Sequence, residues 1–272
     1  MMRDRYPKIG LALSGGAARG LAHIGVLKVF EEYKVPIHYV AATSVGSIIG
    51  AAYAARVSIE RMEKMAQTIR WKHLGGLSFR LMGLSESSRM EKFLSDLLPC
   101  ATFEDLEIPL AITATNLLTG DLIVFRRGSL NKAIRGSCAL PWVYAPVEID
   151  GLLVADGGLT MSVPCRVARQ MGADIVIAVD IRGNLAAKTP TNMFQVVMQS
   201  FAILGYGMRD YQVQEADLVI APNVDAIGWD ELDKAMDAIA AGEREARLKL
   251  PELLKMTRPN FTRWFTSVFK RK

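Results

Sequence analysis

Two short apolar runs, each ending in a turn of small residues and each followed at once by a helix, constrain this chain more than any other feature. Lys8 to Leu13 reads as a buried strand, "SGGAARG" from Ser14 to Gly20 as a glycine-rich turn, and Gly20 to Tyr33 as a helix with Leu21, Ile24, Val26, Leu27 and Phe30 on its apolar face. His38 to Thr43 repeats the strand, and Val45 to Ala55 follows as a helix of small residues. Each helix must carry the chain back across a sheet before the next strand can start in the same direction. The expected fold class is therefore α/β, with a mostly parallel central sheet and helices on both faces.

The uncharged stretch from Val35 to Ala55 is long enough to span a membrane, but Pro36, His38, Thr43, Ser44, Gly46, Ser47 and Gly50 interrupt it, and strand, turn and helix explain it better. Further along, Ser58 to Arg70 reads as a helix. "WKHLGGLSFRLMGLSESS", Trp71 to Ser88, is either a packing connection or a mobile cap, and Ser88 with Glu91 makes a capping box for a helix through Leu98. Ile108 to Gly128 reads as two strands turning at Thr119 to Asp121, Ser129 to Ala139 as a helix, and Val147 to Ala155 as a strand pair turning at Asp150 and Gly151. Ile175 to Val179 and Leu218 to Ala221 read as further strands, separated by a Met-rich helix from Asn192 to Val213; Asp230 to Leu250 reads as the last long helix.

With 272 residues, half of them apolar, the chain can bury one large core. One domain is expected over 1–250, with a basic amphipathic tail over 251–272. From Arg244 onward there are nine Lys and Arg against two Glu, a net of +7, so the remainder carries −2 of the total +5. In the N-terminal "MMRDRYPK" an acid sits among the bases, and Gly15, Gly16 and Arg19 break the apolar run that follows. No signal peptide is read there, and a cytoplasmic location is expected. Cys100, Cys138 and Cys165 show neither CxxC nor CxxH spacing, so neither a disulfide framework nor a metal site is expected.

The glycine-rich turn asks for backbone amides close to a negative charge. A dinucleotide site would need G-x-G-x-x-G and an acid about 20 residues on, yet the spacing is G-G-x-x-x-G and no acid lies between Tyr33 and Arg56. A P-loop would need Lys then Ser or Thr after the last glycine, where Leu21 and Ala22 stand. An oxyanion needs only free amides, with Arg19 and a helix N-terminus adding positive field.

The second turn, "AATSVGS", places Ser44 between Ala42 and Gly46, either as an exposed nucleophile on a strand-to-helix elbow or as a helix cap. A nucleophilic serine needs a base. The histidines are His23, His38 and His73, and only Glu60 and Glu63, both on a helix, lie between Ser44 and the last of them, which disfavours a serine, acid, histidine order. Asp156 in "VADGG", before Gly157 and Gly158, ends an apolar strand and is a carboxylate base at the sheet's carboxyl edge or a turn residue.

In this order the three pieces resemble the patatin-like phospholipase family. Its D-G-G-G-x-R-G loop aligns with Ser14 to Gly20, its G-x-S-x-G elbow with Ala42 to Gly46, and its D-G-[GA] with Asp156 to Gly158; the resemblance runs from about Lys8 to about Ala221, closest to small bacterial single-domain members. The resemblance implies a three-layer α/β/α fold and a dyad of Ser44 as nucleophile and Asp156 as general base and acid. It also implies an oxyanion hole at Gly15, Gly16 and Ala17 with Arg19 nearby, no metal or cofactor, and acyl esters of phospholipids or lysophospholipids as substrates. Ser14, Ala17 and Ala42 depart from the family's Asp, Gly and Gly.

Two other outcomes stay open at this level. One is an acyltransferase, whose group has His where Thr43 stands, so Thr43 favours hydrolysis. The other is a catalytically weak regulatory or binding module. After Pro259, Phe261, Trp264, Phe265, Val268 and Phe269 recur at helical spacing beside Arg263, Lys270, Arg271 and Lys272. Such a face suits an anionic membrane surface, here the inner face, or packs on the domain or on a second copy in a homo-oligomer; it does not suit nucleic acid.

Overall fold

A computed structural model of the chain describes residues 6–74, 87–181 and 189–257. In chain order its elements are β1 (Ile9–Leu13), α1 (Ala22–Glu32), β2 (Tyr39–Thr43), α2 (Val45–Ala54), α3 (Ile59–Thr68), α4 (Trp71–Leu74) and α5 (Ser87–Leu97). Then come β3 (Leu110–Asn116), β4 (Leu122–Phe125), α6 (Leu130–Ser137), β5 (Val147–Ile149), β6 (Leu152–Asp156) and α7 (Cys165–Gln170). The chain closes with β7 (Ile175–Val179), α8 (Met193–Val213), β8 (Leu218–Ile220) and α9 (Ala235–Thr257). The eight strands form one sheet of the expected mostly parallel kind. β3, β2, β1, β7 and β8 lie side by side in parallel, while β4, β6 and β5 join antiparallel on the β3 side.

The sheet forks at β3, and the fork builds the site. β2 pairs with Leu110 to Thr113 of β3 and β6 with Ala114 to Asn116, whereas β4 pairs with Ile112 to Thr115 and so overlaps both. A strand has only two edges, so β2 and β6 lie end to end along one and β4 takes the other. Because β2 runs parallel to β3 and β6 antiparallel, their carboxyl ends face each other: Thr43 sits opposite Thr113, and Asp156 opposite Ala114.

Alternation along the strands divides the core. Ile9, Leu11 and Leu13 of β1 join Val40, Ile112 and Ile177 in the large cluster under α1, α2 and α9, while Ala12, Ala41, Ala111 and Ala178 face the smaller one that α7 covers. The small side chains bring α7 close: a Cβ on Gly10 would stand 3.3 Å from Ala168 Cβ. Where α1 meets α9 the backbones touch, since a Cβ on Gly25 would come within 1.9 Å of Ile239 O.

Four boundaries differ from the sequence expectation. A short 3-10 turn, Ala17–Leu21, takes the place of the first turn of α1, because the glycine loop delivers the chain in a tighter winding. Ser88, the expected N-cap, lies inside α5, which already begins at Ser87. α7, which no sequence periodicity marked, is a six-residue helix. α9 continues through Pro251 to Thr257, past Leu250 where the sequence reading ends that helix, with Leu253 buried in the core beyond the proline. Residues 75–86 of the expected connection or cap, and the whole aromatic tail from Phe261 to Lys272, lie outside the described residues.

Candidate active site

Ser44 is the first residue past β2 and the N-cap of α2, and its backbone is left-handed, with φ 52° and ψ −127°. That conformation costs an L-residue about 1–3 kcal/mol and persists where surrounding structure enforces it. Gly46 is part of the enforcement, because a Cβ there would stand 2.6 Å from Leu13 O and 2.7 Å from Ser14 O. Gly20, on the glycine loop, likewise leaves room for Val45. Ala42, where the resemblance would have glycine, is fully buried in ordinary strand conformation, and its methyl faces Gly50, whose own Cβ would lie only 3.2 Å away. Room given up at position 50 accommodates the extra methyl.

Across the fork, Ser44 Oγ donates a 2.7 Å hydrogen bond to Asp156 Oδ2, and Gly158 N–H donates one of 2.7 Å to Asp156 Oδ1. Gly157 lies against β3, where a Cβ would stand 2.4 Å from Thr113 O. Asp156 is 3 % exposed. Burial pushes its carboxyl up to about 6, against the hydrogen bonds from Gly158 and Ser44, which favour the anion. The carboxylate is thus ionised near neutral pH and basic enough to accept a proton.

The loop from Ser14 to Arg19 closes the other side. Ser14, in place of the family's aspartate, is wholly buried: its N–H donates to Val179 O, its Oγ accepts from Ile181 N–H, and its carbonyl accepts from His23 Nε2. Burial holds His23 down at about 4, so at neutral pH the ring is uncharged and Nε2 carries the proton that Ser14 O accepts. Ala17 takes φ 51°, the left-handed region that a glycine would enter freely.

Two expected oxyanion groups are otherwise engaged. The Gly15 amide is committed to Ser162 O at 3.0 Å. Arg19 Nε donates to Ile227 O, and its guanidinium lies in the field of Asp225 and Glu231, so Arg19 fastens the segment after β8. Among the described residues no acceptor takes the Gly16 or Ala17 N–H, and Ala18 N–H goes to Trp229 O. The open donors are therefore Gly16 and Ala17. The remaining histidines serve the backbone elsewhere: His38 Nδ1 accepts from Ile9 N–H and His73 Nδ1 from Arg70 N–H.

Ser44 and Ala17 open onto a cleft of about 680 Å³, part of it open to solvent, whose walls include Ile48, Met65, Ile69, Phe93, Leu140 and Val143. Trp71 and Trp229 meet edge to face at its side, ring centres 6.0 Å apart. Cys138 also lines it, with burial raising its thiol pKa, so the thiol stays protonated. No motif assigned Cys138 or the two tryptophans to the site, although Trp71 opens the segment read as a connection or cap and Cys138 lies in the run toward Asp156 that shares the family resemblance. They come from segments far apart in sequence, and only the packing of α4, α6 and the β8–α9 connection assembles them. Among the described residues no three His, Cys, Asp or Glu side chains gather into a metal-holding group, and no helix is long and apolar enough to cross a membrane.

The family model for patatin-like phospholipase matches residues 11–169 of the chain. An uncharacterized NTE family protein of Mycobacterium tuberculosis is 35% identical over 183 residues, 66% of this chain and 51% of that protein. The human patatin-like phospholipase domain-containing protein 6 is 35% identical over 181 residues, 64% of this chain and 13% of that protein. A protein of Mycosarcoma maydis named lysophospholipase NTE1 is 31% identical over 179 residues, 64% of this chain and 10% of its own length. The chain thus corresponds to about half of the mycobacterial relative and to a small part of the others. VipD from Legionella pneumophila shares the fold, with a TM-score of 0.57 at 12% identity, covering 91% of this chain and 67% of its own.

Proposed function

The chain belongs to the patatin-like phospholipase family, and on that premise we propose that it is a serine hydrolase of lipid acyl esters, of phospholipase A or lysophospholipase type, working through Ser44 and Asp156. The observation that carries this reading is the 2.7 Å bond from Ser44 Oγ to Asp156 Oδ2 at a left-handed elbow in the wall of an apolar cleft. As Ser44 Oγ attacks the ester carbonyl carbon, its proton passes to Asp156 Oδ2, and the carbonyl oxygen gains negative charge within reach of the Gly16 and Ala17 amides. When the tetrahedral centre collapses, the C–O bond to the alcohol breaks and the alcohol leaves with the proton from Asp156. Water then attacks the acyl-serine, giving its proton to Asp156, and the acid departs as Ser44 Oγ takes that proton back. The apolar cleft suits an acyl chain.

Transfer of the acyl group to another acceptor would follow the same first half. Thr43 Oγ1 donates to Met161 O and pairs with Thr113 Oγ1, so it is held within the fold and serves no acceptor. A catalytically weak module would follow if Ala42 and Ala17 degraded the site, and the room at Gly50 for the Ala42 methyl speaks against the first of these.

The test is fluorophosphonate labelling of the purified protein, with the adduct located by mass spectrometry. Modification of Ser44 in the wild type, its loss in Ser44→Ala and its sharp slowing in Asp156→Asn are expected; an unmodified Ser44 would sink the reading. Docking of the 261–271 aromatic and basic residues on an anionic membrane is a separate proposal. Equal liposome binding by the chain with and without residues 258–272 would overturn it.

A further inference from the structure

The stretch that joins the two members of the dyad through their backbones is the carboxyl end of α6. Ser44 has left β2, so its N–H no longer has a strand partner, and that N–H donates to Ser137 Oγ at 2.8 Å. Two residues later, Ala139 O accepts from Asp156 N–H at 3.0 Å. The Ser44 carbonyl is held from the α2 side, where Ser47 N–H and Ser47 Oγ donate to it at 2.7 Å and 2.5 Å. Ser137 is wholly buried. It can come this close because Gly136 beside it carries no side chain: a Cβ there would stand 2.9 Å from Val154 Cγ1 of β6 and 3.0 Å from Ile149 Cδ1 of β5.

This bridge matters because of the fork in the sheet. β2 and β6 meet end to end on β3 and do not pair with each other, so the ladder ties each of them to β3 but not to its counterpart. A small slip of either strand end would lengthen the Ser44–Asp156 bond, and misplacement on the ångström scale is enough to lose much of a rate. We infer that Ser137 to Ala139 sets nucleophile and base at working distance, and that Ser137 is a positioning residue whose hydroxyl holds the Ser44 backbone in its left-handed conformation. The inference rests on the hydrolase reading proposed above. Ser137 touches no reacting atom and acts through Ser44. Replacing it with alanine leaves the Ser44 N–H without its Ser137 partner, and with it goes a contact that holds the elbow at φ 52°.

The experiment compares wild type, Ser137→Ala and Ser137→Thr by the rate of fluorophosphonate modification of Ser44 across pH 5 to 8, normalised to the folded fraction from circular dichroism. Amide hydrogen exchange over the peptide containing Ser44 is followed alongside. Ser137→Ala is expected to lower the plateau roughly tenfold or more, from the loss of that hydrogen bond and the misplacement it allows. The midpoint should stay where Asp156 places it, and exchange at the elbow should quicken. Ser137→Thr keeps the hydroxyl and should hold most of the wild-type rate.

A folded Ser137→Ala protein that is labelled as fast as wild type overturns the inference and leaves the dyad standing. So does an equal loss in folded Ser137→Thr, which would make the size of the side chain and not its hydroxyl the cause. A shifted midpoint would also overturn it, by placing the effect on Asp156. If Ser137→Ala fails to fold, the threonine variant and the exchange rate of the wild-type elbow still decide. No adduct on Ser44 in the wild type would defeat the hydrolase reading itself.

Discussion

The two sides of the cleft are completed to different degrees. On the dyad side nearly every polar group around Ser44 already has a partner: its Oγ is on Asp156, its N–H on Ser137, its carbonyl on Ser47, and Asp156 Oδ1 on Gly158. On the oxyanion side the Gly15 amide is spent on Ser162, while Gly16 and Ala17 present donors that no described residue takes. Under the proposed mechanism, such an arrangement would place Ser44 before a substrate arrives and keep donors for charge that exists only during reaction. Both halves hold a non-glycine residue in the left-handed region, Ser44 and Ala17. The strain at Ser44 is enforced by side chains from three elements, whereas Ala17 sits at the start of a short 3-10 turn.

The largest effects should come from the dyad side. Asp156→Asn preserves shape and the Gly158 contact but removes the base, and should slow ester hydrolysis and labelling by about 100-fold to 10,000-fold, the usual range for a positioned acid–base group. The wild-type rate should rise with pH through a midpoint near 6, because protonated Asp156 accepts nothing. A flat profile from pH 5 to 8 would exclude Asp156 as the titrating base.

The same carboxylate bears on stability, with the opposite sense. Its pKa in the folded protein is raised from 3.8 to about 6, so its ionisation is harder in the native state. Its contribution to stability is complete below the unfolded value and lost as pH rises through 6. By about 1.4 kcal/mol per unit the loss at neutral pH reaches roughly 3 kcal/mol. Asp156→Asn should therefore melt higher than wild type at pH 7.5, with the gap shrinking towards pH 4. An inactive variant that is also no more stable at pH 7.5 would show that the buried charge is not costly, and would loosen the link between its environment and its basicity.

Gly46→Ala should act through the elbow. The added Cβ meets two backbone carbonyls, Leu13 O and Ser14 O, neither of which can swing aside like a side-chain end. A loss of about 1–3 kcal/mol in urea unfolding, with slower labelling of the fraction that folds, is the expected outcome for overpacking of this kind. Wild-type stability in Gly46→Ala would mean that the loop before α1 yields more than its buried Ser14, with three hydrogen bonds, implies.

Much of this was legible in the sequence, and the reasons are local. The strand and helix order around Ser14 and Ser44 showed through because both faces of a parallel sheet are buried and its strands are continuously apolar. Ser44 and Asp156 could be picked out because each lies between small residues that a tight approach requires. What the sequence did not carry is edge sharing. That β2 and β6 would abut on β3 depends on register, and no periodicity in Leu110 to Asn116 marks the residue where one partner stops and the other begins. Two details stayed hidden for the same reason: Ser137 opens a stretch that shares the family resemblance, yet nothing in it marks a hydroxyl bound to the Ser44 amide, and which of the three expected amides of "SGGAARG" is spent depends on the distant Ser162.

The smallest effect expected is at Ala42, and it separates the two explanations for a missing glycine. If the alanine had degraded the elbow, Ala42→Gly should raise the labelling rate. The packing argues otherwise: position 42 has ordinary strand geometry, its methyl is fully buried, and the neighbour that would have collided with it is Gly50. Removing that methyl leaves a small void in a packed layer and adds a flexible residue to a strand. A loss of about 1 kcal/mol in stability with the labelling rate unchanged is therefore expected. The double variant Ala42→Gly with Gly50→Ala moves the methyl across the same space and should recover part of the loss, as contacting residues that share one cavity couple. A rate gain in the single variant, or no recovery in the double, would mean that Gly50 is not what makes room for Ala42 and that the elbow of this chain is compromised at its base.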